Sequence, residues 1–162
     1  MIRLARPDDV ADIKRIAVDT KMFAADEVDT FDEMLEGFFD GSLDGHQWLV
    51  PVSDVAVCGA AYLAPEPFSD RVWNLYFLAV DPLAHGTGVG TELIDHVVAS
   101  LSERGGDVAR VLIVETSSTD QYRDTRAFYV RRGFVEESTI REFYGPGDHK
   151  VTFWQSLVDG ER

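Results

Sequence analysis

Three glycines alternate in the stretch H-G-T-G-V-G, His85 to Gly90, between an apolar run ending V-D-P and a helical run beginning T-E-L-I-D-H. Glycine costs backbone entropy in regular structure, so the spacing asks for a reason. A strand that passes through a glycine turn into a helix makes an anion site. The first backbone N–H groups of the helix have no internal partner, and the helix dipole is positive there. Glycines let a pyrophosphate approach without side-chain obstruction. A tight turn with no ligand is the competing reading. Two other phosphate motifs do not fit. The P-loop requires Lys and Ser or Thr after its last glycine, and Thr91 follows Gly90 directly. The G-x-G-x-x-G fingerprint does not match G-T-G-V-G-T and belongs in an early βαβ unit. The net charge of −14 adds a condition. Overall charge repels a polyanion, so local N–H groups must hold it.

The elements that position this loop follow from hydrophobic periodicity. Residues 2–5 predict a strand. Pro7 and two aspartates open a helix that carries Val10, Ile13, Ile16 and Ala17 on one face. A second helix is predicted over Asp29–Phe39, with Phe31, Met34, Leu35 and Phe38 as its apolar face. Q-W-L-V-P-V and V-A-V-C-G-A-A-Y-L, from Val55, read as a hairpin. Val72–Val80 is apolar enough for a central strand. A helix over Val89–Glu103 buries Leu93, Ile94, Val97, Val98 and Leu101. Another strand, a helix stopped by Gly133 with Phe134 packed behind it, and two final strands complete the chain. The class is α/β in the α+β sense: a mixed sheet of about seven strands flanked by about four helices, because hairpins impose antiparallel pairs.

The chain of 162 residues predicts a single domain over 1–162. No export signal and no membrane-length apolar run are visible, and the single cysteine, Cys58, allows no internal disulfide; the expected location is cytoplasmic, with no membrane partner. No basic patch occurs, so nucleic acid is excluded as a partner. His46, His96 and His149 lack metal-ligand spacing, and no metal is expected. Cys58 lies in an apolar strand and reads as core.

Several of these features together resemble the GCN5-related N-acetyltransferases (GNAT family). H-G-T-G-V-G resembles the family's [QR]-x-x-G-x-[GA] pyrophosphate signature, with V-D-P before it. A-F-Y-V-R-R-G-F resembles the family's helix ending in Y-x-x-x-G-F, and I-R-L-A-R-P-D-D-V-A-D-I its first strand and helix. The resemblance covers nearly the whole chain. Two departures stand out: His85 occupies the usual Gln or Arg position, and Tyr122 stands where an asparagine is common.

The resemblance implies acetyl transfer from acetyl-CoA, as cosubstrate, to a primary amine by direct attack in a ternary complex. It implies a bulged central strand that splays from its neighbour and pairs with the pantetheine arm. Leu78, Ala79 and Val80 would supply those contacts, with the Leu78 N–H as oxyanion donor. His85, Gly86, Thr87, Gly88, Val89, Gly90 and Thr91 would surround the pyrophosphate. Tyr129 matches the family's general acid for the departing thiolate, against simple packing beside Phe128. Glu115, at a strand end, is the candidate base, against an acid paired with an arginine such as Arg126. Asn74 and Tyr76 could position a water instead. The acceptor would be a small-molecule or peptide amine, and a homodimer with twofold symmetry would suit the commonest closed form. A non-catalytic acyl-CoA-binding module is the other reading.

Overall fold

Buried positions in the first helix recur at helical spacing, and this decides its type. The computed structural model describes residues 1–54 and 56–159. Pro7–Asp9 forms a 3-10 turn, and α1 (Val10–Asp19) follows, burying Ile13, Ile16 and Ala17. The second helix begins later than its acidic run predicts. Val28–Thr30 is a 3-10 turn and α2 is Phe31–Asp40, burying Phe31 and Leu35.

The strands are β1 (Ile2–Leu4), β2 (Gln47–Ser53), β3 (Ala56–Val57), β4 (Gly59–Pro65), β5 (Val72–Val80), β6 (Val111–Ser117), β7 (Val135–Gly145) and β8 (Asp148–Ser156). Helices α3 (Val89–Glu103) and α4 (Arg123–Arg131) complete the described elements. The sheet is mixed, with eight strands where the periodicity gives seven. The extra strand comes from Cys58, whose N–H and Sγ both donate to the Pro51 carbonyl, at 3.0 and 3.3 Å. The register on β2 slips by one residue there, since Val52 faces Val57 but Leu49 faces Ala61. Such a bulge splits one apolar run into β3 and β4. Val55, where the sequence starts that run, lies outside the described residues.

The chain divides into two compact units. The first contains Met1–Ala64 and Tyr76–His96, with strand order β1-β2-β4-β5 and β3 pairing β2 off that path. Its core is aromatic: the Phe31 ring lies 5.5 Å from Trp48 and 5.1 Å from Phe77. Trp48 stacks on Tyr62 at 4.6 Å. The entry to α1 is fixed by Asp9, which is buried. Arg3 donates to both its oxygens at 2.7 and 3.0 Å, and the Arg6 N–H adds a third bond at 2.7 Å.

The second unit contains Pro65–Leu75 and Val97–Arg162, with order β5-β6-β8-β7. β5 and β6 run parallel, while β6–β8 and β8–β7 are antiparallel. α4 ends as its sequence predicts. Gly133 is left-handed at φ 93°, and the Phe134 N–H returns to the Tyr129 carbonyl at 3.0 Å. The predicted helix over residues 120–132 again opens with a 3-10 turn, Asp120–Tyr122.

The Asp9 carboxyl sits below the usual carboxylate range, chiefly because Arg3 donates to its ionised form. Its stabilisation is therefore present above the unfolded-state value of about 3.9 and is lost as pH falls through the lower folded value. Asp9→Ala should cost about 2 kcal/mol at neutral pH, the scale of bonds to charged groups, and denaturant melts of the two proteins should converge as pH falls through the lowered Asp9 value.

Candidate active site

In the first unit, the glycine turn hangs from a clamped strand end. The Asp81 N–H donates to the Cys58 carbonyl at 2.9 Å, continuing the hairpin with β4. The Asp81 side chain accepts from the Leu83 N–H at 3.0 Å and from Arg15 at 3.1 Å. Both bonds favour the ionised carboxylate, the Leu83 N–H more strongly, and its pKa is lowered. The V-D-P stretch thus caps a 3-10 turn, Pro82–Ala84, that leads into the loop.

Gly86 and Gly88 adopt φ 79° and 88°, a region that favours glycine, and open space surrounds the position a Cβ would take at each. The first ladder bond of α3 runs from Glu92 N–H to the Gly88 carbonyl at 3.0 Å, so the Val89, Gly90 and Thr91 N–H groups precede the ladder. A helix of 15 residues supplies the positive dipole end. An open cradle of backbone N–H groups with no side chain in the way fits a pyrophosphate.

His85 turns away from that role with its ring. Its Nε2 lies 2.9 Å from the Val80 carbonyl. A carbonyl only accepts, so Nε2 carries the proton in this arrangement. Where a Gln or Arg would reach outward, this side chain ties the loop back to β5.

The β5 backbone carries the other expected contacts. Eight residues separate Cys58 from Glu66, but nine separate Asp81 from Val72, the residues they bond across the hairpin. β5 therefore holds one extra residue, a bulge. The Ala79 carbonyl and the Asp81 N–H are directed at β4. Leu78 and Val80 alternate with them and present their backbone groups on the other edge. The ladder between β5 and β6 covers only Val72–Leu75 against Val111–Val114.

In the second unit, polar side chains gather around the end of β6. Asn74 is 1% exposed, and its Nδ2 donates to Glu66 Oε2 at 3.0 Å and to Glu115 Oε1 at 3.3 Å. Lys150 Nζ lies 3.6 Å from Glu115 Oε2 and 4.0 Å from the Phe143 ring centre. Burial, then the carboxylates of Glu115 and Asp148, push the Tyr144 phenol up to about 12. Glu115 is thus paired with a lysine, while Arg126 donates to the Ser117 and Thr119 carbonyls at 2.7 and 2.8 Å.

Sequence reasoning missed Glu66, Lys150 and Tyr144. One signal was available for Lys150. Glu115 faces Thr152 across the β6–β8 ladder, and Lys150 is the diagonal neighbour two residues away.

Tyr129 is 3% exposed. Its ring packs against Phe128, Phe134 and Phe153 at 5.5, 5.7 and 5.8 Å. Burial raises its pKa well above that of free tyrosine. Cys58 is buried and its thiol is also pushed up by desolvation, which suits a core residue. Among the described residues, no group of three metal-ligating side chains occurs, and no helix is long and apolar enough to cross a membrane.

The acetyltransferase (GNAT) family model matches residues 4–134. The chain belongs to the GNAT family. Its fold matches GNAT structures. A GNAT-family protein from Desulfovibrio desulfuricans is 29% identical, with a TM-score of 0.88 over 98% of this chain and 99% of that one. An aminoglycoside 6'-N-acetyltransferase complexed with coenzyme A has 14% identity and a TM-score of 0.76, over 100% of this chain and 99% of that one. A Salmonella typhimurium structure holding its cofactor acetyl-CoA has 19% identity and a TM-score of 0.79, covering 100% and 96%. No curated protein sequence matches. The open backbone at 86–91 fits a pyrophosphate.

Gly88→Val fills the open space and strains the left-handed position. It should weaken acetyl-CoA binding at least tenfold by calorimetry, while the backbone strain of about 1 kcal/mol leaves the protein folded.

Proposed function

We propose that this protein transfers an acetyl group from acetyl-CoA to a primary amine by direct attack in a ternary complex. The observation that carries the proposal is the open glycine cradle at the start of α3, beside a bulged β5 that keeps the Leu78 and Val80 backbone on its other edge. When bound, acetyl-CoA supplies an acetyl group activated as a thioester.

The chain's own groups have separable tasks. The N–H groups from Gly88 to Thr91 hold the pyrophosphate, and the His85 ring ties the loop to the Val80 carbonyl. Ala79 fixes β5 against β4, so the Leu78 backbone and the Val80 N–H can pair with the pantetheine arm, while the Val80 carbonyl holds the His85 ring. The Leu78 N–H donates to the carbonyl oxygen as negative charge develops there. Glu115 takes a proton from the acceptor ammonium, freeing the lone pair that forms the new C–N bond. Tyr129 gives its phenolic proton to the sulfur as the C–S bond breaks. Its raised pKa does not bar this role, because the same desolvation raises the pKa of a thiol beside it.

The acceptor is a small-molecule or peptide amine. GNAT acetyltransferases act on both small-molecule and protein amines. A non-catalytic acyl-CoA-binding module competes with this reading, favoured by the close packing of Tyr129 among three phenylalanines.

Calorimetric titration with acetyl-CoA, with NAD as control, should give one-to-one binding of acetyl-CoA alone. Thiol release with a panel of amines should then give turnover, and binding without turnover on any amine would favour the non-catalytic module. Tyr129→Phe should lower kcat on the order of a hundredfold with acetyl-CoA affinity unchanged. Unchanged turnover would reduce Tyr129 to packing. Glu115→Gln should lose most rate at low pH, where the acceptor arrives protonated, and an unaltered pH profile would remove it from the mechanism.

A further inference from the structure

One primary amide holds two carboxylates that come from different parts of the chain. Asn74 lies on β5, Glu66 follows β4, and Glu115 lies near the C-terminal end of β6. The amide orientation is not arbitrary. Carboxylates accept, so Nδ2 must face Glu66 and Glu115, at 3.0 and 3.3 Å. This orientation has a consequence at the other end of the amide. Asn74 Oδ1 is buried and has no hydrogen-bond partner. An orphaned buried acceptor costs stability on the order of 1–3 kcal/mol, so an apolar side chain or a serine would serve the sheet better. The arrangement makes sense when the position of the carboxylates is what the residue serves.

We propose that Asn74 is a positioning residue that fixes Glu115 for proton abstraction and makes Glu66 and Glu115 act as a coupled pair. The inference rests on Glu115 being the base. Each of the two amide hydrogens is committed to one carboxylate. The bond to Glu115 Oε1 restrains the side chain. Glu66 is held on the same nitrogen, so two like charges share one donor. The other groups facing Glu115 are Lys150 from β8, of opposite charge, and Tyr144 at the end of β7, itself near Asp148 and Tyr122. Asn74 therefore sets a balance between one neighbouring carboxylate and one ammonium. Oε2 of Glu115 is left with Lys150, at the longer distance of 3.6 Å, so it is the less tightly held oxygen.

The two perturbations have opposite signs. Loss of the amide donor removes support for the charged base, so the acid limb of the kcat/KM profile moves to higher pH. Loss of the Glu66 charge removes the opposition, so the limb moves to lower pH. A residue that merely packs would move neither.

The experiment measures kcat/KM against pH for the natural protein, Asn74→Ala, Glu66→Gln and the double variant, with one amine that gives thiol release. Asn74→Ala should lower kcat about tenfold, raise the acid limb and leave the KM for acetyl-CoA unchanged. Glu66→Gln, which keeps shape and can still accept from Asn74, should lower the acid limb with kcat nearly intact. The half-buried Glu66 position makes this variant safe for folding if Asn74→Ala proves unstable. The proposal is overturned if Glu66→Gln leaves the limb in place or moves it upward, or if a folded Asn74→Ala keeps the natural profile. Failure of the broader reading looks different: no amine supports turnover in the natural protein, or Glu115→Gln keeps the natural pH profile.

Discussion

A strand has two hydrogen-bonding edges, and β5 uses them unequally along its length. Over Val72–Leu75 it is bonded to β6, while Asp81 at its far end is tied to Cys58. Between those regions one inserted residue changes which residues face which neighbour. Backbone donors cannot be left buried without partners, so an edge without a ladder must meet water or a ligand. The glycine turn, the clamp at Asp81 and the brace from His85 all serve to keep this edge and the following helix in register.

The clamp illustrates how few charged contacts are needed when backbone geometry does most of the holding. The protein carries a net charge of −14, which repels a polyanion at long range. Long-range attraction is absent and cannot be the source of affinity. Directed N–H groups at a helix start act over a few ångströms and are little affected by distant carboxylates. The excess of acid instead favours cationic partners, in keeping with an amine that arrives protonated.

Polar chemistry in the second unit is arranged with similar economy. Two carboxylates, one amide and one lysine sit at the end of β6, where side chains from neighbouring strands converge. The aromatic cluster around Tyr129 provides a dry wall of fixed geometry.

Local sequence determined much of this. Strand β5 and helix α3 have the limits that periodicity predicts, and Gly133 ends α4 as its left-handed preference requires. These features depend on neighbours within a few residues, so the sequence displays them directly. The glycine cradle was legible for the same reason, because the spacing of Gly86 and Gly88 encodes a backbone shape. Tertiary structure alone decided the rest. The bulges at Cys58 and in β5 come from pairing across a hairpin, which no single strand records. The His85 ring and the Val80 carbonyl are five residues apart, and only the fold of the turn joins them. Glu66 and Glu115 are brought to one amide across 8 and 41 residues of separation from Asn74. Sequence fixes chemistry within reach of one element, whereas the partners of a buried polar group are chosen by the packing of several.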